Sequence, residues 1–228
     1  MRTFVPADLP RADRYKLLIG AITPRPIALV STCDEQGRAN VAPYSFFNGI
    51  GSEPMSVLFC PASLDAGDKD TLRNCLPQDQ GGLGEFVVNF AVEGYARAVA
   101  AAGEVLPYGE SEFEACGFTP APCQVVKPPR VAQSPISFEC KTTHVIRLNP
   151  EQPRGPNVVI GEVVYVWARE DIVNERFHVD PERLRTIGRM GGKAYCRTRE
   201  RFELEPKLST LAALAPFAED VGPDGTKG

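Results

Sequence analysis

Histidine is scarce. This chain of 228 residues holds two, His144 and His178, far apart in sequence. Two such residues give no metal cluster to argue for. Neither Gly-x-Ser-x-Gly nor His-Glu-x-x-His occurs, so the local signatures of a serine hydrolase and a zinc protease are missing. Basic charge is also short. Lys and Arg number 25 against 29 Asp and Glu, a formal net charge of −4. Phosphate neutralisation needs a concentrated basic face, so this balance argues against nucleic acid as a partner. No apolar run approaches the roughly 20 residues of a membrane-spanning helix. The N-terminal stretch Met1 to Tyr15 is broken by prolines and acids and lacks the apolar centre of a signal peptide. The expectation is a cytoplasmic protein that binds neither membrane nor nucleic acid.

Paired cysteine motifs are missing too. The 7 cysteines are an odd number, widely spaced, with no Cys-x-x-Cys. That argues against a disulfide framework and against zinc, and points to free thiols used mostly in packing. What is present is ordinary globular material. A 43% hydrophobic content is enough for a core, and the length fits one domain with an appended tail. We expect a domain over residues 1–205 and a tail over 206–228. The tail carries one apolar patch, Leu208 to Phe217.

The rhythm of the chain is that of an antiparallel β protein. Ala12 to Gly20 is expected as a short helix with Tyr15, Leu18 and Ile19 on one face. Two strands follow, Arg25 to Thr32 and Asn40 to Asn48, with Cys33 to Ala39 as the turn. Ile50 to Pro54 is expected as a loop and Met55 to Cys60 as a third strand. Further strands are expected at Glu85 to Phe90, Ile136 to Leu148 and Asn157 to Ala168. The glycines Gly81, Gly82 and Gly84 make a turn; without a preceding strand they are no dinucleotide fingerprint. Residues 92–102 are helix-prone, Ser111 and Glu112 open a second short helix, and Val125 to Pro135 runs extended. Asp180 caps a helix beginning at Pro181, and Arg189 to Tyr195 is a loop.

The strand Asn40 to Asn48 departs from a core pattern. Asn40, Ser45 and Asn48 stand among Val41, Ala42, Phe46 and Phe47. Small polar groups beside such neighbours cost energy if buried unpaired, so they read as the polar wall of a pocket. Downstream, Asp70 or Thr71 can cap a short helix next to Lys69, with Leu72, Cys75 and Leu76 on its apolar side. Taken alone this is a capped surface helix with a solvated lysine. A phosphate at the helix start is the alternative.

The runs Thr23 to Thr32 and Asn40 to Asn48, followed by Glu53-Pro54, resemble the flavin reductase-like family of FMN-binding split barrels, which includes flavoredoxins. Lys69-Asp70-Thr71, Phe86 to Asn89, Ile160 to Val163 and Arg189 to Gly192 with Tyr195 extend the match across most of the chain. The resemblance implies a mainly β fold with peripheral helices, an antiparallel split β-barrel that binds FMN. It also implies a homodimer, with NADH or NADPH as a cosubstrate and an oxygenase or electron-transfer protein as a partner.

Site residues follow from the same resemblance. Arg25 to Thr32 would run along the flavin, with Ser31 and Thr32 offering hydroxyl and backbone groups. Asn40, Ala42, Pro43, Tyr44, Ser45, Phe46 and Asn48 would form the opposite wall. Lys69, Asp70 and Thr71 would hold the phosphate. Arg189 would reach that phosphate or an incoming dinucleotide. No side chain need serve as acid or base, because the flavin carries the chemistry. Several relatives place a histidine just before the strand ending in Ile160 to Val163; here the nearby residue is Asn157. The activity implied is transfer of reducing equivalents from NAD(P)H through flavin to free flavin or another acceptor. Two other readings stay open: an electron carrier without a nicotinamide site, and a related barrel acting on a vitamin B6 compound.

Overall fold

A computed structural model describes residues 1–65, 67–104, 106 and 110–204. The expected tail and its apolar patch lie outside the described residues. Helix α1 (Arg11–Ala21) buries only Ile19, while Tyr15 and Leu18 are exposed at 56% and 47%. The described residues therefore cover little of that apolar face.

Strands β1 (Ala28–Cys33) and β2 (Ala39–Tyr44) form a hairpin with Cys33 opposite Ala39. Asp34 builds its turn: Oδ1 accepts the N–H groups of Gln36 and Arg38 at 3.0 and 2.9 Å. Gly37 sits there at φ 79°, where a β-carbon is disfavoured. Strands β3 (Phe47–Ser52) and β4 (Met55–Phe59) make a second hairpin around the cis Glu53-Pro54 bond. Two expectations are corrected here. The strand Asn40 to Asn48 breaks at Ser45-Phe46, and most of the loop expected at Ile50 to Pro54 is strand. Every β3 residue after Phe47 is exposed, and Gly49 and Gly51 carry no side chain, so no alternation marks it in sequence.

With β5 (Glu85–Phe90), β8 (Ile136–Arg147) and β9 (Asn157–Ala168), these strands form a seven-stranded sheet. Its order is β2-β1-β5-β8-β9-β4-β3, with every neighbouring pair antiparallel. The two edges, β2 and β3, are separated in the chain only by Ser45 and Phe46. Flat, the edges would lie about 29 Å apart at the usual strand spacing. A link of that length reaches about 10 Å. The sheet must therefore curl until its edges meet, and no ladder joins them. That is the expected split barrel.

The barrel interior is filled by Val30, Phe59, Phe86 and Val159, with Leu72 and Cys75 of α2 (Asp70–Cys75) packed into the same cluster. Gly161 of β9 makes room for the Phe86 ring. β1 is buried on both faces, since Leu29 and β2's Val41 pack outward against Val99 of α3 (Ala96–Ala101) and Phe113 of α4 (Glu112–Ala115). The proline-rich stretch lies against the barrel, with β6 (Pro120–Ala121) paired to β7 (Arg130–Val131). Asp180 accepts from Glu182 and Arg183 to cap α5 (Pro181–Leu184), as expected. β10 (Ile187–Arg189) and β11 (Tyr195–Arg197) flank the glycine loop. Cys33, Cys75 and Cys140 are buried free thiols and the other four cysteines are half-buried.

Candidate functional site

One cleft, of about 140 Å³, gathers much of what the sequence nominated. Asn40, Ala42, Pro43 and Tyr44 from β2 face Lys69, Asp70 and Thr71 at the start of α2. Local structure explains the meeting. β2 is an edge strand, so its outer side is open to a helix end. α2 is anchored there by Leu72 and Cys75 in the barrel core.

A directed hydrogen-bond chain sets the cleft floor. Asn74 Nδ2 donates to the Thr32 hydroxyl at 3.0 Å. Thr32 Oγ1 donates to Asn40 Oδ1, and Asn40 Nδ2 donates to Thr71 Oγ1 at 3.0 Å. Asn40 and Thr32 are thereby fixed in orientation. Thr71 has accepted, which leaves its hydroxyl proton for Tyr44 or for a ligand. Beside it lies the Tyr44 hydroxyl, buried and without a well-formed hydrogen bond. Burial pushes this phenol well above its ordinary pKa, so it stays a neutral donor.

The N-terminus of α2 is uncapped. Lys69, not Asp70 or Thr71, occupies the cap position, and among the described residues no side-chain cap bond is made there. The first-turn N–H groups are left to an external acceptor. Lys69 makes no salt bridge among the described residues. Acid groups nearby are partly spoken for. Arg147 holds Asp68 through bonds of 2.9 and 2.6 Å, which keeps that carboxyl below its usual range. Arg73 lies 3.5 Å from Asp70, whose pKa burial raises nonetheless.

Other nominated residues fall outside the cleft. Arg25 is 3% exposed and works as a knot. Its Nη1 donates to the carbonyls of Ile19 and Ile22 at 2.6 and 2.7 Å, its Nη2 to Met190 at 3.1 Å, and its Nε to Ser45 at 3.3 Å. The guanidinium also lies 5.8 Å from the Phe46 ring centre. Arg25 and Arg189 exchange backbone bonds of 2.9 and 2.8 Å, so the TPRP turn and the glycine loop form one unit. The Arg189 guanidinium stacks over Tyr195 at 4.5 Å. This unit borders a mostly apolar hollow of about 320 Å³ between Pro24 and Phe90. Ser31 turns elsewhere and donates to Pro129 O at 2.6 Å. Asn48 is exposed, and its Oδ1 accepts the N–H of its neighbour Gly49. His144 and His178 are exposed, and neither lines the cleft. The side chain of Asn157 is consumed by the fold, donating to Pro61, Ser63 and Gly155 at 3.0, 3.1 and 3.2 Å.

Glu112 is a cleft residue the sequence reading did not nominate. Ser111 and Glu112 suggest a helix cap. Instead Ser111 Oγ donates to Ala39 O at 2.7 Å and Glu112 Oε2 accepts from Val41 N at 3.1 Å. They satisfy alternate outer groups of the β2 edge, as a partner strand would.

A split barrel carrying this donor-rich cleft defines a flavin-related oxidoreductase, and comparison with known proteins agrees. The chain matches the flavin reductase like domain over residues 20–188 and belongs to that family. An uncharacterized protein of Aquifex aeolicus is 36% identical over 184 residues, spanning 80% of this chain and 89% of its own. Nitrilotriacetate monooxygenase component B from Bacillus cereus superposes with a TM-score of 0.83 at 33% identity, covering 90% of this chain and 98% of that one. The 2-nitrobenzoate 2-nitroreductase NbaA of Pseudomonas fluorescens gives 0.79 at 32%, covering 91% and 97%. Flavoredoxin of Desulfovibrio vulgaris, at 22% identity and a TM-score of 0.65, covering 82% and 94%, shares the fold.

Proposed function

We propose that this chain binds FMN with its phosphate in the β2–α2 cleft, and passes reducing equivalents from NADH or NADPH to free flavin or another acceptor. The observation that carries the reading is the cleft itself. Residues far apart in sequence, Asn40, Ala42, Pro43 and Tyr44 on one side and Lys69 to Thr71 on the other, line one small space. Its groups suit a phosphate ester: a lysine that makes no salt bridge among the described residues, a helix start without a side-chain cap, and the neighbouring Thr71 and Tyr44 hydroxyls. About 140 Å³ takes a phosphate and the adjoining polyol, not a whole flavin.

Bound flavin supplies the redox chemistry, taking a hydride and returning electrons singly or in pairs. The chain's own task is placement. Lys69 and the α2 N–H groups fix the phosphate end, while Asn40 holds Thr71 in the donating orientation. The Arg25 knot sets the position of residues 190–194. A homodimer is part of this reading, and the exposed Tyr15, Leu18 and Ile50 are apolar surface for it. The likeness to a monooxygenase component B supports an oxygenase as the consumer of reduced flavin.

Asn157 favours a second reading, an electron carrier without a nicotinamide site, because its amide N–H groups are all committed to the fold. Anaerobic mixing of FMN-loaded protein with NADH or NADPH separates the two. Rapid bleaching of the flavin band supports the reductase. No bleaching, with reduction by a reduced iron–sulfur protein instead, supports the carrier. A colourless preparation that refuses FMN at micromolar levels overturns both.

A further inference from the structure

The phosphate cleft contains a carboxylate that would repel phosphate. Glu112 lines it together with Lys69 and Asp70. It cannot simply swing aside. Its Oε2 holds the Val41 N–H at 3.1 Å, and next to it Ser111 holds Ala39 O at 2.7 Å. Leaving would strand a backbone donor on the sheet edge. The titratable groups coupled to Glu112 are Lys69 and Asp70 at the α2 start, the Tyr44 phenol and the Cys116 thiol, with Asp68, Arg73 and Glu104 elsewhere on the cleft lining. Asp68 is tied to Arg147 and Arg73 stands near Asp70. Lys69 is the nearby cation that favours ionised Glu112, and Asp70 opposes it.

We propose that Glu112 takes up a proton when a phosphate ester enters this cleft, and that its O–H then donates to a phosphate oxygen. The proton comes from solvent and goes to the oxygen not bonded to Val41. It returns to solvent when the ligand leaves. Before any ligand arrives, burial already raises the Glu112 pKa, with Asp70 adding to it. A phosphate competes for Lys69 and adds negative charge, so both changes act in the same direction. FMN is then held tightly at low pH and released as pH rises. Riboflavin has no phosphate and draws no proton. This inference rests on the phosphate end of FMN lying in the β2–α2 cleft.

The test titrates apo protein with FMN and with riboflavin, following quenching of flavin fluorescence from about pH 5.5 to about pH 8.5. Wild type is compared with Glu112→Gln, a neutral stand-in for the protonated acid that can still accept from Val41. FMN affinity of the wild type should fall with pH more steeply than that of the variant, by up to about tenfold per pH unit. At the alkaline end the variant should bind FMN about tenfold tighter than wild type. The phosphate's own second ionisation, near about pH 6, acts on both proteins and cancels in the comparison. Riboflavin profiles should coincide. Parallel FMN profiles in the two proteins overturn the proposal. Wild type that prefers FMN over riboflavin at no pH overturns the phosphate assignment itself, and this inference with it. Should the variant fail to fold, calorimetry of the wild type in buffers of different ionisation enthalpy replaces it. FMN must take up more protons than riboflavin at the alkaline end, and equal uptake overturns the proposal.

Discussion

The ring of Phe86 stands 2.4 Å from where a β-carbon on residue 161 would lie. Gly161 is the glycine of the Ile160 to Val163 motif, and its role is to admit that ring into the barrel. The ring has nowhere to go. It is fully buried and packs edge-on against Phe59 at 5.2 Å. Gly161→Ala should therefore destabilise the fold by about 1–3 kcal/mol, the usual cost of overpacking. Thermal melting checks this: the midpoint should drop by roughly 2–4 °C for each kcal/mol. An unchanged midpoint would show that the barrel can yield there.

That glycine shows what the sequence could and could not convey. A run such as Ile160-Gly161-Glu162-Val163 is legible as strand because its neighbours are β-branched, but the ring it accommodates lies on β5, far away in the chain. The strands with apolar alternation or continuous apolar runs were all readable. β3 was not, because it presents side chains to solvent and carries Gly49 and Gly51. In the cleft, Asn40 was legible as a polar residue among apolar ones, and Lys69 as a lysine at a helix start. Glu112 was not, since Ser-Glu-Phe-Glu has the look of a local cap. Its partners, Ala39 and Val41, are polar only through their backbone. Sequence pattern reports side chains, so contacts made to main chain across the fold leave no trace in it.

Arg25 offers a sharp contrast between direct contact with flavin and support from behind. Its guanidinium bridges the end of α1 and the carbonyl of Met190. A lysine keeps the charge but cannot present a planar fork to several acceptors. Arg25→Lys should leave the buried Ile19 carbonyl short of a donor, at about 1–3 kcal/mol, and loosen the part-buried bonds to Ile22 and Met190. Hydrogen exchange should then quicken at residues 19–22 and 190–194 even without flavin. Were Arg25 acting only on the ligand, apo exchange would be unchanged and flavin affinity alone would fall.

Lys69→Ala tests the phosphate end directly. A hydrogen bond to a charged group contributes about 1.5–3 kcal/mol, so FMN affinity should fall roughly tenfold to a hundredfold. Riboflavin affinity should hardly move. Equilibrium binding of the two ligands to wild type and variant gives the answer, and equal losses would remove Lys69 from the phosphate.

Glu139 supplies a pH dependence of stability that owes nothing to the cleft. Its carboxylate is fully buried, and no salt bridge holds it among the described residues. Instead it accepts the N–H groups of Gln124, Val125 and Val126 at 2.7, 2.6 and 3.0 Å, and the Trp167 indole at 2.6 Å. Burial pushes the acid up, but these donors outweigh it and hold the carboxyl below its ordinary value. A folded-state pKa lower than the unfolded one gives stability that is present above the unfolded carboxylate range. It is lost as pH falls through the folded value. Glu139→Gln keeps the shape but sets an amide N–H₂ against N–H donors. At neutral pH the variant should be less stable by about 2–3 kcal/mol, the scale of one charged hydrogen bond. The gap should narrow at acid pH, as the folded wild-type carboxyl takes up a proton on passing through its lowered value. Urea unfolding at both pH values measures it. A gap that stays constant would mean that these donors pin the 124–126 strap by shape alone, with the charge on Glu139 contributing nothing.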